Sequence, residues 1–327
     1  MAGMACAQRL AAAGWGVRMF DKARAPGGRM ATRRVILPDG REIRFDHGAQ
    51  YVDAVAPDFI ALCDRLERKG VATQYPWPIF GSPYCDTPST KRFVGAPGMN
   101  AMPKALAKDF DVVCTRQVTA LARSAEGWRL MFAGGASEGG FAAVAIAVPA
   151  EQAAPLVTVV SAAFTKEAAN ARTAPCWAGL LAFEGGGEPA FGALQIDDGG
   201  PLAWLARTAD GQGWVAHASP AWSKANLEVD AEVVARDLEA AARRLLQGVG
   251  ATLHAQAHRW RFAQVETAAK TPFAWDETLA LGLCGDWRLG RGVESAWRSG
   301  DLLGGAMATA GLGRRGRPRT TARSHAG

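Results

Sequence analysis

The sequence has no Cys-x-x-Cys pair and no metal-ligand spacing among its six cysteines. Scattered cysteines of this kind favour buried thiols in a reducing compartment over a disulfide framework. The chain also lacks a run of about 20 apolar residues, the length needed to cross a bilayer. Its first residues lack the basic start and apolar core of a secretory signal. We therefore expect a cytoplasmic protein with no bound metal and no membrane partner.

The net positive charge is small over most of the chain and is concentrated at its end. The net charge is +6, and five arginines with no acidic residue fall within residues 313–327: Arg314, Arg315, Arg317, Arg319 and Arg323. Because the other residues are nearly neutral, a nucleic-acid partner is not expected. Blocks of like charge are usually unstructured, so we expect residues 313–327 to form a disordered basic tail.

The start of the sequence reads as a helix, a glycine, a strand and an acid: residues 3–13, Gly14, residues 17–20 and Asp21. This order is typical of the second half of a βαβ dinucleotide-binding unit, in which the third glycine of G-x-G-x-x-G opens the helix. Gly3 fits that glycine, and Asp21 fits the acid that binds the adenosine ribose. The first strand and the first two glycines would precede Met1, and we expect an in-frame upstream segment to encode them. An ordinary surface helix and strand is the alternative.

Two later segments carry groups suited to a phosphate and a polyol. The first is a Gly-Gly-Arg sequence. Gly28 lets the backbone approach a pyrophosphate, and the planar guanidinium of Arg29 can donate paired hydrogen bonds to the pyrophosphate oxygens. In the second, residues 283–287 read as a strand that ends at Asp286, and a glycine-rich loop then leads into a helix-forming run over residues 295–307. An acid at a strand end beside a helix N-terminus is suited to a ribityl chain and a polarised oxygen.

The Pro-Gly-Gly-Arg segment and the acid before it resemble the FAD site of the flavin amine oxidase superfamily. More narrowly, the chain resembles the bacterial renalase-like proteins in six segments: residues 46–51 (DHGAQY), 94–99 (VGAPGM), 147–154 (AVPAEQAA), 214–223 (WVAHASPAWS), 257–262 (AHRWRF) and 284–287 (CGDW). The resemblance implies an α/β fold of the p-hydroxybenzoate-hydroxylase type, with a Rossmann-type FAD-binding domain interleaved with an α+β substrate domain. It also implies FAD as the cofactor, and oxidation of isomeric forms of NAD(P)H by hydride transfer to flavin N5 with O2 as acceptor.

The resemblance assigns nine residues to the cofactor. It places Gly3, Gly28 and Arg29 at the pyrophosphate, Asp21 at the adenosine ribose, the Val118 backbone at the adenine, Gln50 at the isoalloxazine ring, Asp286 at the ribityl chain, and the Val293 and Glu294 amides at the flavin N1/O2 edge. The absent first strand and first two glycines are the departure from the family pattern.

The remaining sequence indicates two interleaved domains. Short β-prone runs lie at residues 111–114, 116–122, 128–132 and 141–148, with turns at residues 134–135 and 139–140. Longer alternating strands follow at residues 177–183, 191–196, 202–207 and 214–218, and then a helix over residues 230–247 that Asp230 can cap. We expect an FAD-binding domain of residues 1–50, 95–150 and 278–312, and a substrate domain of residues 51–94 and 151–277, a mostly antiparallel sheet with a helix behind it.

Four residues are candidates for the substrate pocket: His217, Arg259, Trp260 and Trp287. In the strand 257–262, His258, Trp260 and Phe262 share one face and Arg259 and Arg261 the other. These faces form either an aromatic wall with a phosphate-binding arginine or simply a core face and a solvated face. His217 reads more readily as a structural histidine. Trp287 follows an acid at a strand end, where ligands bind in open α/β sheets.

The sequence gives no indication of hydrolytic chemistry. It shows no arrangement of Ser, His and Asp and no pair of carboxylates at a spacing that suggests acid–base catalysis. Hydride transfer from a dihydropyridine needs no general base, since its product is an aromatic pyridinium, so the protein need only position the ring and exclude water. Two alternatives stay open: a flavin amine oxidase or desaturase that acts on an amine, and a truncated chain without activity. The sequence leaves the substrate, the preference for NAD or NADP forms, and the oligomeric state undetermined.

Overall fold

The computed structural model describes residues 1–81, 91–185, 189 and 191–310. The α-helices of these residues are α1 (Ala2–Ala12), α2 (Pro57–Arg68), α3 (Ala101–Ala107), α4 (Ala150–Val157), α5 (Ala162–Asn170), α6 (Pro220–Ala225), α7 (Ala231–Leu245), α8 (Asp286–Leu289) and α9 (Val293–Thr309). The tail predicted at residues 313–327 and Cys85 lie outside this part of the chain, whose other cysteines are free thiols. None of its helices has the length and apolar character needed to span a membrane.

The strands of the described residues are mostly short. They are β1 (Arg18–Phe20), β2 (Thr32–Ile36), β3 (Glu42–Asp46), β4 (Val52–Ala54), β5 (Ala72–Gln74), β6 (Ile79–Phe80), β7 (Lys91–Gly95), β8 (Asp111–Val113), β9 (Val118–Ser124), β10 (Gly127–Phe132), β11 (Ser137–Phe141), β12 (Val144–Ile146), β13 (Arg172–Phe183), β14 (Ala193–Gln195), β15 (Leu202–Arg207), β16 (Trp214–Ala218), β17 (Thr252–Thr267), β18 (Ala274–Asp276) and β19 (Leu281–Leu283).

The helix, glycine and strand predicted at the start of the sequence are present. Helix α1 ends at Ala12, Gly14 has a φ of +86° that suits a C′ glycine, and β1 follows. Glycines also set the packing of α1 on α9, because a Cβ at Gly300 would collide with the Ala2 carbonyl oxygen. The two helices therefore approach each other closely, backbone against backbone.

The parallel strands lie in two separate sheets. Strand β1 pairs in parallel with β8, whereas β12 pairs in parallel with β19, whose other edge carries the antiparallel β18. The facing β1 and β12 both line one cavity, and a Cβ at Gly3 would lie 3.3 Å from the side chain of Ala147 and 3.7 Å from that of Met19. The N-terminus of α1 thus sits over the ends of both sheets.

One predicted strand ends earlier than expected. Residues 283–287 were expected to form a strand through Asp286, but β19 ends at Leu283 and Asp286 is the first residue of the short helix α8. Gly285 has a φ of +153°, and this turn separates the strand from the helix. The carboxylate still lies at the C-terminal edge of the sheet, as the sequence indicated.

The predicted antiparallel sheet with a helix behind it is also present, and we call it the roof sheet. Its six strands run in the order β17-β13-β16-β15-β14-β6, and only β6 pairs in parallel. Helix α7 packs behind it, and its N-cap Asp230 accepts a hydrogen bond from the Glu232 amide, as predicted. The boundaries of the two expected domains remain a prediction.

A second correction concerns the glycine pair at residues 139–140, which was predicted to form a turn. Both glycines lie within strand β11, in the three-stranded sheet β11-β10-β9. The register between β10 and β11 shifts at this point, opposite Trp128 and Arg129, and Gly140 has a φ of +84°. The glycines therefore form an irregularity inside a strand pair and do not end it.

Candidate functional site

One large cavity lies between the parallel sheets and the roof sheet. Its volume is about 1920 Å³, and its lining includes the N-terminus of α1, the ends of β1 and β12, the loop after β3, and one face of the roof sheet. Sites for single small ligands usually measure about 300–1,000 Å³. The cavity is therefore large enough for a dinucleotide together with a second small molecule.

Gly3, Asp21, Gly28 and Val118, four of the residues assigned to the cofactor, line this cavity near β1. Asp21 follows β1 directly, and one of its carboxylate oxygens accepts the Ala23 amide at 2.8 Å. Its other oxygen has no partner that competes with a ribose hydroxyl within the described part of the chain. Gly28 has a φ of +54° and open space where a Cβ would be, so its backbone is freely accessible.

Arg29 and Asp286 form an ion pair across the cavity. A guanidinium nitrogen of Arg29 lies 2.6 Å from a carboxylate oxygen of Asp286, and another donates to the Ala263 carbonyl at 2.8 Å. The same Asp286 oxygen accepts the Trp287 amide at 3.0 Å. The side chain of Asp286 is 8% exposed and that of Arg29 is 29% exposed. The residues expected at the ribityl chain and at the pyrophosphate thus lie side by side.

The loop that joins β3 to β4, residues 47–51, is held by donors from three strands of the roof sheet. The His47 carbonyl accepts both the Trp260 Nε1 at 3.0 Å and the His217 Nε2 at 3.1 Å. The Gln50 Oε1 accepts the Trp204 Nε1 at 2.6 Å. From the opposite side, the Ala49 amide donates to the carbonyl of Arg29 at 2.8 Å, and a Cβ at Gly48 would collide with that same oxygen. The loop is therefore fixed between the two halves of the site.

Four of the roof-sheet residues that face the cavity lie in one row across neighbouring strands. The pairing register places His258 and His217 opposite Ala178, Trp204 opposite His217, and Gln195 opposite Trp204. Residues directly opposite in antiparallel strands point to the same face. His258, His217, Trp204 and Gln195 line the cavity, and so does Trp260, two residues further along β17.

The histidines of this wall are uncharged at neutral pH. Burial lowers the pKa of His217 to about 4, against the effect of its hydrogen bond to the His47 carbonyl. Burial and the positive charge of nearby Arg33 lower the pKa of His258 to about 4. For His47, burial and the neighbouring His258 lower the pKa to about 3. Because a carbonyl can only accept, His217 carries its proton on Nε2.

These rings pack against one another. His47 lies edge-on to His258 at 4.6 Å and stacks on Trp260 at 5.2 Å between ring centroids. In the described residues, no group of three or more His, Cys, Asp or Glu side chains is placed to hold a metal ion. The cluster is a neutral aromatic wall.

The alternation predicted for residues 257–262 is observed. His258 and Trp260 pack around His47, whereas Arg259 stacks over Trp177 at 5.5 Å. Arg259 and Arg261 also line the cavity, but each is paired with Glu228, at 2.9 Å and 2.5 Å. The single carboxylate of Glu228 is therefore shared by two guanidinium groups, and it balances one of their two positive charges.

Two expected site residues, Trp287 and Glu294, lie outside the lining of the main cavity. The Trp287 side chain is fully buried in a hydrophobic cluster away from the cavity lining, with its Nε1 donating to the Val148 carbonyl at 3.0 Å. The Glu294 carboxylate accepts the amides of Val55 and Ala56 at the start of α2, at 2.7 and 3.0 Å, and the residue lines a smaller adjoining pocket of about 660 Å³. Val293, at the N-terminus of α9, lines both cavities.

Several cavity residues were not identified from the sequence. Trp204 and Gln195 join the wall only through the register of the roof sheet, and Arg291, whose Nε donates to the Val265 carbonyl at 3.1 Å, lines both cavities. Glu151 also lines the main cavity, with one carboxylate oxygen bound to Thr173. A signal was available only for Glu151, because it falls within one of the six segments that carry the resemblance.

The residues present fit an FAD. The site offers an acid after β1, a close glycine contact beneath the start of α1, and the free amides that begin the 17-residue helix α9. An acid at the C-terminal edge of the second sheet completes the set. These are the groups that a dinucleotide with an extended polyol requires.

Comparisons with known proteins agree with this geometry. Residues 1–66 match the model of the NAD(P)-binding Rossmann-like domain family. Among solved structures, the chain is similar to a triple mutant of putrescine oxidase made in a structure-based redesign of its cofactor binding, with 13% identity and a TM-score of 0.65. The likeness covers 94% of this chain and 96% of that one. These findings confirm the predicted fold class, a mixed α/β chain with a Rossmann-like dinucleotide-binding domain.

Proposed function

We propose that this protein is an FAD-dependent oxidase, similar to the renalases, that oxidises isomeric forms of NAD(P)H. FAD bound in the cavity would supply the hydride acceptor, N5, and would pass the electrons to O2. Gly3, Gly28 and Arg29 would hold the pyrophosphate, Asp21 the adenosine ribose, Asp286 the ribityl chain, and Val118 the adenine. The amides of Val293 and Glu294 would face the N1/O2 edge of the flavin.

The observation that carries this proposal is the neutral aromatic wall. His217, His258, Trp204 and Trp260 line the cavity, and burial keeps the imidazoles of His217 and His258 uncharged, with a pKa of about 4 for each. An uncharged planar ring such as a dihydropyridine stacks on such a wall without losing a charge–water interaction. Its oxidation releases no proton, so the wall need only place the ring and exclude water.

A flavin amine oxidase is the second candidate. The acidic residues Asp197 and Asp198 line the cavity, and a carboxylate there would attract an ammonium group. Asp198 already accepts the Gly200 amide at 2.8 Å, which leaves Asp197 as the freer of the two. An amine substrate would depend on these charges, whereas a dihydropyridine would not.

The experiment is an anaerobic rapid-mixing measurement on the full chain loaded with FAD. We expect 2- and 6-dihydro isomers of NAD(P)H to bleach the flavin absorbance, and putrescine to leave it unchanged. Dithionite is the control that reports whether the flavin can be reduced at all. Bleaching by putrescine that Asp197→Asn weakens would establish the amine oxidase instead.

We propose further that the chain has the two expected interleaved domains, that it is cytoplasmic, and that its substrate is a small molecule. If the chain acts as an oxidase, O2 is its second substrate. A protein that takes up no FAD from solution would contradict this proposal.

A further inference from the structure

The carboxamide of Gln50 has one fixed atom and one without a partner. Its Oε1 accepts the Trp204 Nε1 at 2.6 Å, while its Nε2 is buried and makes no hydrogen bond within the described part of the chain. An indole N–H can only donate, so the contact with Trp204 requires the amide oxygen on that side. The orientation of the amide is thereby set, with its nitrogen turned away from Trp204.

A buried N–H without an acceptor is unfavourable, and most such groups in proteins find a partner. Gln50 lines the main cavity, which makes a bound ligand the natural source of the missing acceptor. The side chain reaches the roof sheet, beside Trp204 and His217, which face each other in register. The acceptor would then belong either to the molecule under the roof or to the isoalloxazine ring, at which the resemblance places Gln50.

Trp204 itself is held firmly. Its strand is paired on both edges, with β14 and β16, and its ring contacts the ring of Tyr51 at 5.9 Å. A rigid donor on a central strand can hold the flexible Gln50 side chain in one orientation. A hydrogen bond from a neighbouring residue commonly fixes the orientation of a side chain that contacts a ligand.

We propose that Trp204 is a positioning residue, which orients the Gln50 carboxamide so that Nε2 donates to a carbonyl oxygen carried by the substrate ring. The site would then prefer a planar ring with a carboxamide or another carbonyl over the same ring without one. This inference rests on the proposed function, because it assigns the ring under the roof to the substrate.

The test is calorimetric titration of the full chain, with and without FAD, using nicotinamide and pyridine as probes. The two rings differ by the carboxamide alone. We expect the parent to prefer nicotinamide, and Gln50→Leu to lower that preference about 3- to 10-fold, the usual worth of a hydrogen bond between neutral groups. Trp204→Phe, which keeps a ring but loses the donor, should lower it by a similar factor.

The double variant tests whether Trp204 acts through Gln50. In the Gln50→Leu background, Trp204→Phe should have no further effect on the preference for nicotinamide. The matched control is Trp177→Phe, which removes another indole hydrogen bond of the roof sheet, to the Asn226 carbonyl at 2.9 Å, from a side chain outside the cavity lining. This control should leave the preference unchanged.

Two results would overturn the inference. One is an unchanged preference in Gln50→Leu; if that variant also binds FAD more weakly, the donor serves the cofactor. The other is a further loss caused by Trp204→Phe in the double variant, which would mean that Trp204 contacts the ligand itself. If the parent takes up no FAD, the proposed function fails separately, and the titration without FAD still measures the preference.

Discussion

Removal of the Asp286 carboxylate should weaken both the fold and the cofactor site. Asp286 lies 2.6 Å from Arg29, and at 8% and 29% exposure neither side chain is freely hydrated. Breaking a buried ion pair from one side costs about 3–5 kcal/mol. Because Arg29 keeps some solvent and still donates to the Ala263 carbonyl, we expect Asp286→Ala to lower the free energy of unfolding by about 2–3 kcal/mol. Urea denaturation at constant m-value measures this loss.

Asp301→Ala is the matched control. Asp301 pairs with Arg9 at the same distance of 2.6 Å, but the Arg9 side chain is 58% exposed. Solvent weakens such a pair, so the control should lose no more than about 1 kcal/mol. An Asp286→Ala variant within about 0.5 kcal/mol of the parent would refute the reasoning from burial.

The same variant separates the structural role of Asp286 from its role toward the ligand. If its carboxylate accepts a ribityl hydroxyl, Asp286→Ala should weaken FAD binding roughly 10- to 150-fold, the worth of a hydrogen bond to a charged group. Asp286→Asn keeps an acceptor oxygen without the charge, so it should retain more FAD affinity than Asp286→Ala while remaining less stable than the parent. Equal and undiminished FAD affinity in both variants would remove Asp286 from the cofactor site.

The remaining predictions concern packing and pH. Gly300→Ala should destabilise the protein by about 1–3 kcal/mol because its Cβ would collide with the Ala2 carbonyl, whereas Gly305→Ala, in open space on the same helix, should stabilise it slightly; thermal or urea unfolding measures both. The pKa of His217 is lowered to about 4 in the folded protein, whereas in the unfolded chain it is about 6.5. Because the unfolded chain binds the proton at a higher pH, the free energy of unfolding should fall between about pH 6.5 and 4, by up to about 1.4 kcal/mol per pH unit. His217→Phe should flatten that slope in unfolding curves recorded across the range. Burial raises the pKa of Asp46 to about 7, so its contribution has the opposite sign and Asp46→Asn should steepen the acid loss.

Local features of the chain could be predicted from the sequence because their causes are local. Helix α1 with Gly14, strand β1, and helix α7 with its cap Asp230 follow from propensity and capping within a few residues. The turn predicted at the paired glycines 139–140 was wrong because its cause is not local. The partner strand decides whether such a pair ends a strand or distorts it.

Much of the cavity lining could be predicted where the resemblance named its residues, but the contacts between distant segments could not. Trp204 and Gln50 are 154 residues apart, and Arg29 and Asp286 are 257 apart, so neither pair has a sequence signal. Trp287 shows the converse, since a residue next to a site acid can still face the core. The preceding strand ends at Leu283, Trp287 lies in helix α8 after the turn at Gly285, and its indole donates to the Val148 carbonyl.

The loop of residues 47–51 connects the two halves of the site by hydrogen bonds, beside the direct contact of Arg29 with the Ala263 carbonyl in the roof sheet. Trp204, His217 and Trp260 donate to the loop from the roof sheet, and the Ala49 amide donates from the loop to Arg29, which in turn is paired with Asp286. A ring held under the roof and a pyrophosphate held near Arg29 would therefore be positioned against the same rigid segment. A fixed distance between a substrate ring and a flavin is what hydride transfer needs, because its rate depends on holding the two reacting atoms close and aligned. The loop, with no acid or base of its own poised for catalysis, would serve the reaction through geometry.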